Sequence, residues 1–259
     1  MNPTLLGLLA VLGMFVGMLV VLEVGVRMGV RHLASDPERV KFRGGAVEGA
    51  VFGLMALLIA FTFSGAASRF EVRRALVVEE ANDIGTAWLR LDLLPVTAQP
   101  TLREKFRQYT DARLAVYRKL PDIASAEVEL ARGTALQNEI WKDAVAAGHD
   151  SGSSLAMTLL LPALNQMIDI TTTRTAAART HAPLVIYAML GLLVLVGSLL
   201  AGYGLAISKT RDWFHASAFA LILALAIYVI LDYEFPRFGL IRLDAYDQVI
   251  VDVRKNMNP

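Results

Sequence analysis

Apolar residues fill four stretches of the chain almost without interruption, near residues 4–26, 45–67, 183–207 and 213–235. Each supplies the roughly 20 helical residues needed to cross a hydrocarbon core, so each predicts a membrane span. The first, TLLGLLAVLGMFVGMLVVLEVGV, lacks a basic leading segment. Its apolar core also outruns the roughly 7 to 15 residues of a secretory signal, which predicts a retained helix. Short links within each pair predict two antiparallel hairpins, residues 1–67 and 183–235.

Between the hairpins, residues 68–182 change character. In EVRRALVVEEANDIGTAWLRLDLL, Leu76, Ile84, Trp88, Leu91 and Leu94 recur at helical spacing with charges opposite, which predicts an amphipathic helix continuous with the second span. Pro95 and Pro100 end it, and Thr101 with Glu104 has the form of a capping box opening another helix. Pro121 stops that helix, and Asp122 is placed to cap a third running toward Ala147. GHDSGSS reads as a turn before a fourth helix, from about Ser154 into the third span. No strand pattern appears. The predicted fold is all-α, a polytopic membrane protein with four transmembrane helices and a helical bundle domain between spans two and three. Residues 236–259 are expected to form a tail that packs on the bundle.

Composition supports the membrane reading, with 55% hydrophobic and 19% charged residues and a mean hydropathy of +0.49. A net charge of +1 and the lack of a basic stripe give no reason to expect a nucleic-acid partner. With no cysteine, thiolate metal sites and cysteine nucleophiles are excluded. Basic residues do not decide orientation. Arg27, Arg31, Arg39, Lys41, Arg43, Lys209 and Arg211 flank the spans on one side, and Arg69, Arg73, Arg74, Arg174, Arg179, Arg237 and Arg242 on the other.

The second span carries two features. Gly45, Gly49 and Gly53 recur every four residues and would let a neighbouring helix approach closely. Phe52, Ala56, Ile59, Phe63 and Phe70 fall roughly on one stripe, which is lipid-facing or core in an isolated chain and an apolar pore constriction if this helix lines a ring. Glu23 and Glu48 lie near span ends, where pairing with Arg27 or Arg43 is the expected arrangement. Beyond the span, Arg69, Arg73 and Arg74 either belong to a salt-bridged face, with Glu79, Glu80 and Asp83 downstream, or attract anions at the membrane boundary. His32, His149, His181 and His215 are scattered and form no ligand motif; no catalytic residue, metal site or cofactor is expected.

Three segments in order, EGAVFGLMALLIAFTFSGAASRFEVRR (48–74), EEANDIGTAWLRLDLLP (79–95) and DYEFPRFGLIRL (232–243), resemble the bacterial bestrophin-like family, also called the DUF4239 family, itself remotely similar to the bestrophin anion channels. The resemblance implies an oligomer, a homopentamer by analogy, that conducts inorganic anions such as chloride. It implies a second membrane helix lining an apolar neck at Phe52, Ile59 and Phe63, with Ala66 a further candidate. It also implies a bacterial inner-membrane location with the helical domain and both termini cytosolic. Calcium-gated bestrophins follow the last span with Pro-Phe-Gly and a dense acidic group. Here Arg237 separates Pro236 from Phe238 and Gly239, and Asp244, Asp247 and Asp252 are sparse, so a calcium clasp is not expected.

Asp232 and Glu234 occupy a last helical turn, where the helix dipole disfavours acids. Asp232, Glu234, Pro236, Arg237 and Gly239 are therefore read as a structural clasp at the membrane boundary, the acids paired with Arg237, Arg242 or another basic residue there. The functional expectation is an ion channel in a membrane lipid environment and not an enzyme. The alternative is a non-conducting scaffold whose helical domain binds a partner. An enzyme would have only Glu23, Glu48, Asp232 and Glu234 as polar material between spans.

Overall fold

The structure, a computed structural model, describes residues 3–35, 45–151, 154–206 and 213–257, among which no strand occurs. Two compact units comprise Met1–Ser68 with His181–Leu240, and Arg69–Thr180 with Ile241–Pro259. Four largely helical stretches, the third interrupted at residues 180–183, are long and apolar enough to cross a membrane: Gly7–Ser35, Gly45–Leu93, Ser154–Leu205 and Trp213–Glu234. The protein is a multi-pass membrane protein of all-α fold.

The first unit contains α1 (Pro3–Ser35), the start of α2 (Gly45–Arg90), α6 (Leu184–Leu205) and α7 (Trp213–Glu234). Helix α1 continues past residue 26 to Ser35, because no proline interrupts VRMGVRHLAS and Arg27 Nε pairs with Glu23 Oε1 at 2.8 Å. Leu8, Leu12, Val16 and Val20 are all about half exposed along one face of α1, the inverted pattern of a helix solvated by lipid. Inward, Met18, Met55, Leu190, Val194, Ala220, Leu223 and Ile230 form the core of this unit. Closest approach occurs between α1 and α6. A Cβ at Gly25 would overlap the Leu199 carbonyl oxygen, and one at Gly202 would overlap that of Leu22. Gly29 sits equally tightly against Tyr203 and Ala206.

The second unit contains the rest of α2, a 3₁₀ turn (Leu91–Leu93), α3 (Gln99–Arg118), α4 (Ile123–Ser151), α5 (Ser154–Arg179) and α8 (Gln248–Asn256). Its core joins Ile84, Ala87 and Leu91 to Phe106, Tyr109, Ile140, Leu160, Leu164, Met167, Ile250 and Met257. Helix α8 is held on α3 by the Arg254 guanidinium, which donates to both Asp111 carboxylate oxygens at 2.9 and 3.0 Å. Arg107 Nε also donates to the Met257 carbonyl at 3.0 Å.

Several boundaries differ from expectation. Pro100 lies inside the first turn of α3, which starts at Gln99, because a missing N–H costs nothing among the unpaired donors there. The Thr101–Glu104 capping box is not the start of α3; Glu104 accepts instead from Arg107 and Gln108 at 3.1 Å. Asp122 does cap α4, its Oδ1 accepting the Ser125 N–H at 3.2 Å. Helix α4 runs to Ser151, so the first residues of GHDSGSS are helical, while Gly152 and Ser153 lie outside the described residues. Helix α5 does not run into the third span. Residues 180–183 are non-helical, since Pro183 disfavours helical geometry in the residue before it. Arg39, Lys41, Arg43, Lys209 and Arg211 also lie outside the described residues.

Candidate functional site

The membrane part of α2 presents two unlike faces. Met55, Thr62, Ala66 and Phe70 are buried, and Ala46, Ala50, Gly53, Leu57, Ala60 and Ser64 form an exposed stripe opposite, stepping by four and three residues. The aromatic stripe lies on a flank between them. Half-buried Phe52 leans on Gly197 and meets Phe219 edge-on at 6.1 Å. Ile59 and Phe63 line a shallow, wholly apolar groove of about 320 Å³ with Leu225, Ala226, Val229 and Ile230 of α7. Phe63, 41% exposed, also meets Tyr233 edge-on at 5.6 Å. Among the described residues, no other group lies within 4 Å of a Cβ built at Gly45, Gly49 or Gly53.

Of the three arginines that follow, Arg73 is buried and caps a helix end. Its Nε donates to the Ala177 carbonyl at 3.1 Å and its Nη2 to that of Thr180 at 2.8 Å, satisfying acceptors at the C-terminus of α5. Arg74 pairs with Glu71 at 3.3 Å and lies 5.2 Å above the Tyr246 ring. Arg69 is half-buried.

Downstream on α2, the bundle encloses a charged centre. Glu80 is fully buried; its Oε1 accepts from Arg113 Nε at 2.5 Å, and its Oε2 from Arg113 Nη2 at 3.3 Å and from Arg174 Nη1. Arg113 Nη2 also donates to the Tyr117 hydroxyl at 2.7 Å, and the Arg174 guanidinium lies 4.2 Å from the Tyr117 ring centre. Asp247 approaches Arg174 Nη2 at 3.9 Å. Burial pushes the Glu80 carboxyl up, but the Arg113 and Arg174 charges together outweigh it and hold the group below the ordinary carboxylate range. Beside this centre, Gln137 Nε2 donates to the Tyr109 hydroxyl at 3.1 Å and to Thr171 Oγ1 at 2.9 Å. Burial, then the Glu80 charge, pushes the Tyr109 phenol up to about 12. Burial with Glu79 and Glu80 nearby raises Asp83.

At the end of α7, Asp232 is buried and accepts the Leu240 N–H with both oxygens, at 3.0 and 3.1 Å. Pro236 follows α7 in the turn, and Gly239 is required because a Cβ there would overlap the Asp232 carboxylate. Glu234, with no exposure, meets His181 Nδ1 at 3.0 Å, and that imidazole stacks on Phe235 at 4.6 Å. Arg242 pairs with Asp244 at 2.6 Å, and Lys255 with Asp252 at 3.0 Å. Gly239→Ala is expected to lower the thermal midpoint of the purified protein, and Asp232→Ala in the same chain to recover part of the loss. A double-mutant cycle reads that coupling.

Spacing along the chain pointed to α2 but not to Arg113, Arg174 or His181, whose partners lie 33, 94 and 53 residues away. Glu80 did carry a signal. It follows Val77 by three positions and precedes Ile84 by four, which puts a charge on the buried stripe of an amphipathic helix.

A family model described as Bestrophin-like domain matches residues 17–243. No curated protein matches the chain. Among solved structures, a mutant bacterial bestrophin homologue from Klebsiella pneumoniae superposes with a TM-score of 0.69 at 14% identity, covering 94% of this chain and 97% of that one. A second form of that homologue, phased on zinc, gives 0.66 at 13%, covering 93% and 97%.

Proposed function

This chain belongs to the bestrophin-like family, and from that premise we propose that it assembles into an oligomeric membrane channel for inorganic anions such as chloride, with α2 along the pore. The observation that carries the reading is the exposed stripe of α2. Six positions from Ala46 to Ser64, all but Leu57 small, stay exposed among the described residues. Such a surface suits a helix that faces a shared axis on one side and a neighbouring subunit on another. Phe52, Ile59 and Phe63 on the adjoining flank are the proposed constriction, with Phe63 its most exposed member. An apolar ring of this kind resists ion passage by dewetting. Arg69, Arg73 and Arg74 follow on the same helix as the proposed source of positive potential. Arg74, whose side chain is 44% exposed, is best placed among them to act on a solvated ion. The family supports a pentamer in a bacterial inner membrane with the helical unit cytosolic.

Chloride efflux from proteoliposomes tests the reading. Wild-type protein is expected to release chloride faster than empty vesicles, and Ile59→Ala with Phe63→Ala to raise the flux several-fold by widening the dewetted ring. Flux equal to empty vesicles in both, from a particle sized as a dimer, would instead support a scaffold.

A further inference from the structure

We infer that α5 is hinged at Pro162 and latched by Arg90, so that Ser154–Leu161 forms a lid over one end of the bundle core. The inference concerns the bundle unit alone and holds whether or not the chain conducts.

Proline is costly inside a helix, because it has no N–H to give and its ring crowds the carbonyl four residues earlier. Pro162 stands at the ninth position of the 26-residue helix α5, beyond the first turn that tolerates it. The carbonyl it deprives is that of Thr158, and both residues are exposed, so water takes that acceptor. Thr158 Oγ1 also donates back to the Ser154 carbonyl at 2.9 Å, a bond that weakens and bends a helix.

The next carbonyl is held from another helix. Arg90, the last residue of α2, donates from Nη1 to the Leu159 carbonyl oxygen at 2.5 Å. A proline and a side chain reaching into the backbone ladder are two separate causes of a sharp helix bend, and here they act on consecutive carbonyls. The same bond ties the segment before Pro162 to α2.

Packing differs on the two sides of the hinge. After Pro162, α5 is anchored by buried Ala163, Leu164, Met167, Ile170, Thr171 and Arg174. Before it, Ala156 and Leu160 are buried, while Leu155 and Leu159 are 70% and 41% exposed. Met157 fills the space that a Cβ at Gly148 of α4 would take. That contact is made by an unbranched thioether, which repacks readily as its backbone shifts. Leu160 has no exposure and belongs to the bundle core, so raising the lid bares apolar surface at that end.

Spin-label distances in the full-length protein test the hinge, and the chain has no native cysteine to compete for the labels. Asn138→Cys with Leu155→Cys reads the lid, and Asn138→Cys with Ala178→Cys reads α5 beyond Pro162. A bend of about 20° at the end of an arm of about 12 Å moves its tip by about 4 Å. Arg90→Leu is therefore expected to add a population about 4 Å longer at Leu155 and to leave the Ala178 distance unchanged. Pro162→Ala, which restores the missing N–H, should remove that population from the Arg90→Leu protein. Alone, it should narrow the distribution at Leu155. A single unchanged distance at Leu155 in Arg90→Leu, or both pairs shifting together, overturns the hinge. So does a Pro162→Ala chain whose Leu155 distribution is as broad as that of wild type.

Discussion

Glu80→Gln is expected to destabilise the bundle unit by about 3–5 kcal/mol, the usual cost of removing one member of a buried charge group. Arg113 and Arg174, 1% and 6% exposed at the side chain, would lose the carboxylate that both of them grip. Glutamine can still accept a hydrogen bond, but it removes the negative charge that both cations share in a low-dielectric interior. Glu79, exposed and one residue earlier, is the control, and Glu79→Gln should stay within about 0.5 kcal/mol of wild type. The pH profile separates charge from packing. Because the folded Glu80 carboxyl lies below its ordinary value, its contribution is complete above about pH 4.3. It is lost only as pH falls through the lower folded value. Chemical denaturation between pH 3 and 7 should therefore show a steeper acid loss in wild type than in Glu80→Gln.

That centre also marks where reading along the chain stopped. The four spans, the bundle and the lack of strands follow from hydrophobic periodicity, which is local, and the family follows from three segments in fixed order. Burial of one face of α2 was legible in the same way. Which flank Phe52, Ile59 and Phe63 occupy was not, because it depends on Phe219, Leu225 and Tyr233 of a helix more than 150 residues away. Charge partners fail for a related reason. The carbonyls of Ala177 and Thr180 that the Arg73 guanidinium serves could not be read in this way, since a helix C-terminus offers acceptors that no side-chain pattern announces. Asp232 stands out along the chain as a misplaced acid, whereas the backbone N–H of Leu240 as one of its partners does not, and only Gly239 in the sequence hints at so close a turn.

Gly202→Val is expected to be the most damaging change in the membrane unit, costing about 3 kcal/mol or more. In lipid there is little hydrophobic drive between helices, so α1 and α6 associate through close packing, and that packing is backbone against backbone. At Gly202 the obstacle is the Leu22 carbonyl, and at Gly25 it is the Leu199 carbonyl. Neither can swing aside as a side-chain tip would, so even alanine forces the helices apart. Gly13→Ala on the same α1 meets nothing within 4 Å and should be neutral. Unfolding in mixed micelles, with wild type, Gly13→Ala, Gly25→Ala and Gly202→Val side by side, reads this ranking. Gly53 makes the informative contrast, because it too meets nothing within 4 Å among the described residues. If Gly45, Gly49 and Gly53 serve contact between subunits, Gly53→Leu should leave the unfolding midpoint of the separated chain unchanged. The same substitution should reduce the particle mass measured by light scattering. A midpoint that falls with Gly53→Leu while the mass holds would return those glycines to packing within the chain and leave the exposed face of α2 without an oligomeric role.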